Sequence, residues 1–309
     1  MEPLSPEAVL VINQKISLPL LEKKKVELYI KREDLIHPQI SGNKYRKLKY
    51  NLLEAKKLKY DTLLTFGGAY SNHIAATAYA GKLNKMQTIG VIRGEELANI
   101  WTDNPTLSAA HQQGMKLKFV SRTDYREKET TAFIDKLKIE FGDFYMVPEG
   151  GTNKLAVKGC EEILTAKDEV YDIICCSVGT GGTLAGLINS AAPNQRVLGF
   201  PALKGDFLKK DICKFVENGD WDLCTDYHFG GYARVDESLV SFINEMHQNT
   251  GIPLDPVYTG KMMYGLLDMI TNNFFNPGTK ILAIHTGGLQ GIAGINLYLK
   301  SKKLPIIDI

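Results

Sequence analysis

Short, predominantly apolar segments that alternate with helix-like segments constrain the fold of this chain most strongly. Residues 62–66, 171–177, 197–201 and 280–285 are such segments, and continuously apolar strands are typical of sheets covered on both faces. The helix-like segments between them favour crossover connections between parallel strands. The sequence therefore predicts an α/β fold with parallel-rich sheets covered by helices on both faces.

The same patterns predict the remaining elements. Further strands are predicted at 26–31, 87–93, 116–121 and 145–147. Helices are predicted at 45–60, 74–83, 104–114, 124–141, 154–166, 184–191, 238–248 and 261–272, and after residue 288. Residues 203–230 show no clear periodicity and carry no prediction.

A glycine-rich loop follows the strongest strand candidate. Gly179, Thr180, Gly181, Gly182 and Thr183 separate that strand from a helix, and the N–H groups of a helix N-terminus favour an anion. The spacing differs from that of a dinucleotide loop, and the lysine of a P-loop is absent. The loop therefore suits a single phosphomonoester. A tight turn without a ligand and a nucleotide-binding module are the alternatives.

A short basic segment, Ser41 to Lys47, leads from a turn into a helix-like run. The positive end of a helix dipole disfavours an ammonium ion, so Lys44 is predicted to reach its neutral state easily. A neutral amine is what a lysine needs to condense with an aldehyde. A capped surface helix with a solvated basic face is the alternative.

Polar side chains also follow the strand that ends at Gly67-Gly68. Ser71 and Asn72 suit the N-cap of the next helix, or a carboxylate or oxyanion site built with backbone N–H groups. His73 and His285 have no further ligands at useful spacing. We therefore expect no metal site.

Composition narrows the class of protein. The chain has 309 residues, of which 44% are hydrophobic, and a net charge of +2. Neither nucleic acid nor an anionic membrane is therefore an expected partner. We expect no signal peptide in residues 1–21 and no membrane span. The five cysteines form no C-x-x-C pair, and we expect them to be reduced thiols of a cytoplasmic protein.

Several motifs, taken in order, resemble one family. They are Lys31 to Asp34, Ser41 to Lys47, Gly67 to Asn72, Asp255 to Lys261, and His285 to Gly288. Together they resemble pyridoxal phosphate (PLP) enzymes of fold type II, the tryptophan synthase β type. Within that type the chain is similar to the group of 1-aminocyclopropane-1-carboxylate (ACC) deaminase and D-cysteine desulfhydrase, from about residue 15 to residue 300.

The resemblance implies a set of cofactor contacts. Lys44 would hold PLP covalently, and Lys47 would reach toward its phosphate. The loop from Gly179 to Thr183 would cradle that phosphate, in agreement with the loop's own chemistry. Asn72 would hydrogen-bond the phenolic oxygen of the cofactor, and Thr286 would face its pyridine nitrogen.

The resemblance also implies a substrate side of the site. Ser71 would bind the substrate carboxylate or act beside it. Tyr232 and Tyr258 match two family tyrosines near the substrate. The family usually has glycine after the first of these tyrosines, whereas this chain has Ala233.

Two positions separate the activities within the group. ACC deaminases typically carry glutamate and leucine where this chain has Thr259 and Thr286, and desulfhydrases carry small hydroxyl residues there. A threonine hydroxyl is too weak an acid to protonate the pyridine nitrogen, which favours β-elimination with a good leaving group. The sequence therefore predicts a PLP-dependent lyase that converts D-cysteine to pyruvate, hydrogen sulfide and ammonia.

The alternatives are ACC deaminase, another β-eliminase of small amino acids, and a non-catalytic PLP-binding protein. The resemblance also implies a homodimer. We expect a large PLP-binding domain from residues 1–44 and 150–309 and a small domain from residues 45–149. The cofactor is expected in the cleft between them, since ligands often bind at domain interfaces.

Overall fold

Two sheets organise the chain in the computed structural model, which describes residue 4, residues 11–205 and residues 207–309. The predicted large domain begins at residue 1, and its residues 1–3, 5–10 and 206 lie outside this description. Strands and helices alternate along the chain, and most strand pairs are parallel. The predicted α/β class is therefore confirmed.

The larger sheet has six strands in the described residues. They are β1 (Asn13–Ile16), β2 (Glu27–Lys31), β7 (Ile173–Val178), β8 (Arg196–Pro201), β9 (Asp220–Leu223) and β10 (Lys280–Ile284). Their order is β1-β2-β10-β7-β8-β9. The β1–β2 pair is antiparallel, and the other four pairs are parallel.

The smaller sheet has four strands in the described residues. They are β3 (Thr62–Gly67), β4 (Gln87–Arg93), β5 (Met115–Val120) and β6 (Tyr145–Val147). All pairs are parallel, in the order β5-β4-β3-β6. These strands lie within residues 45–149, and those of the larger sheet lie outside that range. The division into two domains itself stays a prediction.

Twelve α-helices are present in the described residues. They are α1 (Pro19–Lys24), α2 (Asn43–Lys57), α3 (Asn72–Leu83), α4 (Pro105–Gln112), α5 (Arg122–Arg126), α6 (Thr131–Phe141), α7 (Lys154–Glu161), α8 (Gly182–Ser190), α9 (Phe207–Cys213), α10 (Glu237–Thr250), α11 (Thr259–Thr271) and α12 (Gly291–Ser301). None of the described helices has both the length and the apolar character that crossing a membrane requires.

The main departures from the sequence predictions have local causes. The single helix predicted at 124–141 is two helices, because Thr130 accepts a hydrogen bond from the N–H of Phe133 and starts α6 anew. The region without a prediction, 203–230, contains α9 and β9. The sequence also gave no indication of β1 or α1, which are only four and six residues long.

Apolar residues cover both faces of the larger sheet. Successive residues of a strand point to opposite faces, and β10 follows this rule. Ile281 and Ala283 join the cluster under α10, α11 and α12, whereas Leu282 and Ile284 join the cluster under α7 and α8. The continuously apolar sequence of this strand thus reflects burial on both sides.

The sheet topology places three loops at one edge. In the parallel register, Ile284 pairs with Lys31 of β2 and with Cys176 of β7. The loops that follow β2, β7 and β10 therefore leave the sheet side by side. Such carboxyl edges are where α/β folds bind ligands.

Candidate active site

A cleft at the carboxyl edge of the larger sheet brings together most of the residues predicted from the sequence. It encloses about 490 Å³ of empty space, part of it open to solvent. Predicted residues in its lining are Lys44, Lys47, Asn72, Tyr258, Thr286, the loop residues Gly179 to Gly181, and Thr183. Asn43, Gly150, Ser177 and Gly287 also line it, although the sequence assigned them no role.

Four predicted residues are not part of this lining. Gly182 begins α8 behind the loop. The hydroxyl of Ser71 accepts a hydrogen bond from the N–H of Ile74 at 3.3 Å and caps α3. Thr259 is fully buried, and Tyr232 is 44% exposed, with its ring centroid 6.2 Å from that of Tyr258. The functional roles of these residues stay predictions.

Lys44 stands in the first turn of α2, where its amine faces the cleft. Its Nζ donates a hydrogen bond to Oδ1 of Asn43 at 3.1 Å. The pKa of Lys44 is lowered to about 7, mainly by the loss of hydration on burial and, to a smaller extent, by the charge of Lys47. A large fraction of this amine is therefore neutral near pH 7, where an ordinary lysine is almost fully charged.

Lys47 is a buried cation whose hydrogen-bond acceptors are neutral. Its Nζ donates to the carbonyl of Gly150 and to Oγ1 of Thr152, both at 3.0 Å, and to Oγ1 of Thr180 at 3.4 Å. The residue is only 2% exposed. A buried charge is costly unless it is paired, so this ammonium is well placed to receive an anion in the cleft.

The loop after β7 adds uncapped helix N–H groups beside Lys47. Gly181 is the N-cap of α8 with a φ of +82°, and no side chain of the described residues caps the helix there. Asn43 Nδ2 donates to Oγ1 of Thr183 at 2.8 Å and so ties the start of α2 to this loop. The combination of free N–H groups, hydroxyls and a buried ammonium is suited to a phosphate group.

Two neutral hydroxyl groups also line the cleft. The hydroxyls of Ser177 and Thr286 lie 3.0 Å apart, and both residues are buried. Ser177 ends β7 and Thr286 follows β10, so the pairing of these strands brings them together. A hydroxyl of this pair can donate to an unprotonated ring nitrogen.

Asp255 organises the turn that carries Tyr258. Its carboxylate accepts hydrogen bonds from the N–H groups of Val257, Tyr258 and Thr259 at 2.8–2.9 Å. It also accepts from the hydroxyl of Thr259 at 2.7 Å. The Tyr258 ring lies against Gly179, where an added Cβ would be 3.1 Å from Cε1. Burial raises the pKa of Tyr258 well above its usual value, so its hydroxyl remains a donor.

The histidines considered as metal ligands bind other groups. Nε2 of His73 lies 2.8 Å from Oγ1 of Thr65, and Nε2 of His285 lies 2.7 Å from the carbonyl of Pro253. Burial lowers the pKa of His73 well below its usual value, so its ring is neutral. Across the described ranges, no three His, Cys, Asp or Glu side chains are arranged to hold a metal ion.

The donors of the cleft fit PLP, group by group. The amine of Lys44 is neutral enough to bond to its aldehyde. Lys47 and the start of α8 suit its phosphate. The hydroxyls of Ser177 and Thr286 suit its ring nitrogen. The backbone is also open to a flat ring, since Gly287 next to Thr286 lines the cleft without a side chain.

Comparisons with known proteins agree with this fit. A family model described as pyridoxal-phosphate dependent enzyme matches residues 13–287. A putative ACC deaminase of Thermotoga maritima is 33% identical, over 92% of this chain and 94% of its own length. The bifunctional D-cysteine desulfhydrase/ACC deaminase of Arabidopsis thaliana, a mitochondrial protein, is 33% identical over 86% of this chain and 73% of that protein.

Two further relatives cover nearly the whole chain. A D-cysteine desulfhydrase of Klebsiella pneumoniae is 29% identical over 88% of this chain and 90% of its own. The crystal structure of an ACC deaminase homologue superposes with a TM-score of 0.81 at 28% identity, over 97% of this chain and 95% of that one. The resemblance noted in the motifs and the predicted cofactor are thus confirmed, and the chain belongs to the family of pyridoxal-phosphate dependent enzymes.

Proposed function

We propose that this protein is a D-cysteine desulfhydrase, which converts D-cysteine and water to pyruvate, hydrogen sulfide and ammonia by β-elimination. The observation that carries the proposal is the neutral hydroxyl pair of Ser177 and Thr286 in the lining of the cleft. We place the ring nitrogen of PLP next to this pair. A hydroxyl there leaves the ring nitrogen unprotonated. This suits prompt loss of a good leaving group from Cβ rather than prolonged storage of charge in the ring.

The proposed roles on the cofactor side follow from the contacts described above. PLP, when bound, withdraws electrons from the Cα of the substrate. Lys44 holds the cofactor and then, as a neutral amine, takes the Cα proton. Lys47 and the loop from Gly179 to Thr183 hold the phosphate. Asn72, which lines the cleft, donates toward the phenolic oxygen.

On the substrate side, Ser71 and the first N–H groups of α3 receive the substrate carboxylate. Tyr258, protonated and lining the cleft, donates a hydrogen bond near the leaving group, with Tyr232 behind it. Thr259 acts indirectly. Its hydroxyl is bound to Asp255, so we propose that it selects substrate by holding the turn of Tyr258.

ACC deamination is the second candidate, because a relative named as a putative ACC deaminase and the bifunctional relative are each 33% identical to this chain. The relative named only as a D-cysteine desulfhydrase is 29% identical. Thr259 and Thr286 speak against it, since the ACC deaminase pattern has glutamate and leucine there. A homodimer, which the resemblance to the family implies, and a cytoplasmic location are further proposals. The two sheets support a division at residues 44/45 and 149/150.

A substrate panel tests the proposed activity. Purified protein loaded with PLP is incubated separately with D-cysteine, L-cysteine, D-serine, L-serine and ACC. Pyruvate is measured throughout, sulfide for the thiols and 2-oxobutyrate for ACC. We expect pyruvate and equimolar sulfide from D-cysteine and little 2-oxobutyrate from ACC. Dominant 2-oxobutyrate formation would contradict the desulfhydrase proposal and favour the second candidate.

Replacing Lys47 with methionine is expected to weaken PLP retention about 10- to 100-fold, the usual worth of a hydrogen bond to a charged group. The variant keeps the length of the side chain and removes the buried ammonium beside the phosphate loop. Retention is measured as visible absorbance after dialysis at graded PLP concentrations. Lys49→Met is the matched control, because Lys49 lies two positions further along α2 and its Nζ donates to the carboxylate of Glu162. Equal retention in both variants would contradict the phosphate assignment.

A further inference from the structure

Lys261 is a further buried lysine, which lies in the first turn of α11 and has no role in the function proposed above. It is 2% exposed. Its Nζ donates hydrogen bonds to the backbone carbonyls of His228 at 2.9 Å and Gly231 at 2.8 Å. Asp255 and Asp236 act on it as more distant charges. Both hydrogen bonds of the Lys261 side chain therefore go to the backbone of the loop that leads to Tyr232.

That loop has an unusual backbone. Phe229 and Ala233 have a φ of +54°, and Gly230 and Gly231 have φ values of +88° and +122°. Side chains such as those of Phe229 and Ala233 disfavour this region. Such conformations persist only where neighbouring contacts fix them. Lys261 binds the carbonyl of His228, before the glycine pair, and that of Gly231, its second member, and so supplies contacts of this kind.

The same helix end holds the other tyrosine of the substrate side. Tyr258 is the N-cap of α11, only three positions before Lys261. The rings of Tyr232 and Tyr258 meet edge to face with centroids 6.2 Å apart. A displacement of the loop relative to α11 would therefore separate the two tyrosines directly.

The amine keeps enough donors for both bonds in either protonation state. Burial lowers the pKa of Lys261 to about 8, and a neutral amine still carries two N–H groups for two carbonyls. The two hydrogen bonds from Lys261 to the carbonyls of His228 and Gly231 therefore do not depend on the charge of the lysine.

We propose that Lys261 is a positioning residue that fixes the loop of residues 228–233 and thereby holds Tyr232 beside Tyr258 at the mouth of the cleft. The effect on turnover rests on the proposed function, whereas the effect on the loop does not. Lys261 touches backbone rather than substrate, and it acts through the tyrosine that the loop carries.

The test compares wild type, Lys261→Met and a matched lysine variant by hydrogen–deuterium exchange, in protein with and without PLP. Exchange of a loop reports its local opening. We expect the peptide covering residues 228–234 to exchange about tenfold faster or more in Lys261→Met. With D-cysteine, we expect kcat to fall about 10²-fold, as for a small misplacement of a reacting group. Retention of PLP on Lys44 is expected to be unchanged.

Lys24 provides the matched control at the opposite end of α11. Its Nζ donates to the carbonyl of Thr271 at 2.7 Å and to Oδ1 of Asn273 at 2.6 Å. Lys24→Met also removes two hydrogen bonds of a lysine, but at the end of α11 away from the cleft. We expect it to leave the exchange of residues 228–234 and kcat unchanged. If Lys261→Met does not fold, Lys261→Gln replaces it, because one shorter amide cannot reach both carbonyls.

Unchanged exchange of residues 228–234 in the Lys261 variant would overturn the proposal, even if turnover fell. Faster exchange equally spread over all of α11 would overturn it too, because it would reveal a general loss of stability. A wild-type protein without turnover on any amino acid would refute the desulfhydrase proposal. The exchange experiment on the loop would still decide the role of Lys261.

Discussion

Replacing Lys44 with alanine is expected to abolish turnover of D-cysteine and to leave the protein without the visible absorbance of covalently held PLP. The variant removes both the proposed attachment point of the cofactor and the proposed base for the Cα proton. Loss of general base catalysis alone is worth on the order of 10²–10⁴-fold. Pyruvate release and the absorbance spectrum after gel filtration measure the two effects separately.

The location of the bond can be checked without turnover. Borohydride treatment followed by peptide mapping is expected to fix PLP on Lys44 in wild type and to fix none in Lys44→Ala. The uptake of PLP by cofactor-free wild type is also expected to speed up as pH rises toward about 7, the lowered pKa of Lys44, and to level off above it. Full activity of Lys44→Ala, or PLP fixed on Lys47 instead, would remove the basis of the site assignment.

Motifs in the sequence were sufficient to find the lysines and most of the glycine-rich loop that line the cleft. Lys44, Lys47, the loop residues Gly179 to Gly181, and Thr183 line one cleft, as the chemistry of their segments suggested. The reason is local: a reactive lysine at a helix start and a glycine loop at a strand end can be recognised from a few neighbouring residues.

Ser177 and Gly150 also line the cleft but were not predicted, because their contacts are distant in the sequence. Ser177 bonds to a residue 109 positions away, and the carbonyl of Gly150 accepts from Lys47 103 positions away. A serine that ends an apolar strand has no local pattern that marks it as part of a site. Only the pairing of β7 with β10 brings it next to Thr286 in the cleft.

Thr259 illustrates a different limit. Its position in the motif suggested a contact with cofactor or substrate, but its hydroxyl is turned to the carboxylate of Asp255. The direction of a side chain in a turn depends on the hydrogen bonds of that turn, and four of these converge on Asp255. A motif identifies the residue type needed at such a position, whereas the contact it makes requires coordinates.

Replacing Gly42 with alanine is expected to cost about 3 kcal/mol of unfolding free energy or more and to prevent retention of PLP. A Cβ at this position would lie 1.9 Å from the carbonyl oxygen of Thr286, and the backbone has a φ of +64° and a ψ of −145°. The added Cβ would meet backbone atoms rather than a flexible side chain, so the whole loop would have to move. The loss of unfolding free energy is therefore expected to exceed that of a single strained residue. Chemical denaturation and visible absorbance measure the two losses.

We expect stability and PLP retention to be lost together, because Gly42 lies where two loops of the site are in contact. The N–H of Asn43 donates to the carbonyl of Thr286 at 3.2 Å, so the loop before Lys44 contacts the loop that contains Thr286. Gly251→Ala is the control, because Gly251 has a φ of +68° and no atom within 4 Å of an added Cβ. We expect it to cost about 1 kcal/mol for the backbone conformation alone and to keep PLP. Equal losses in the two variants would mean that strain at φ accounts for both, and that the contact between the two loops does not hold the site together.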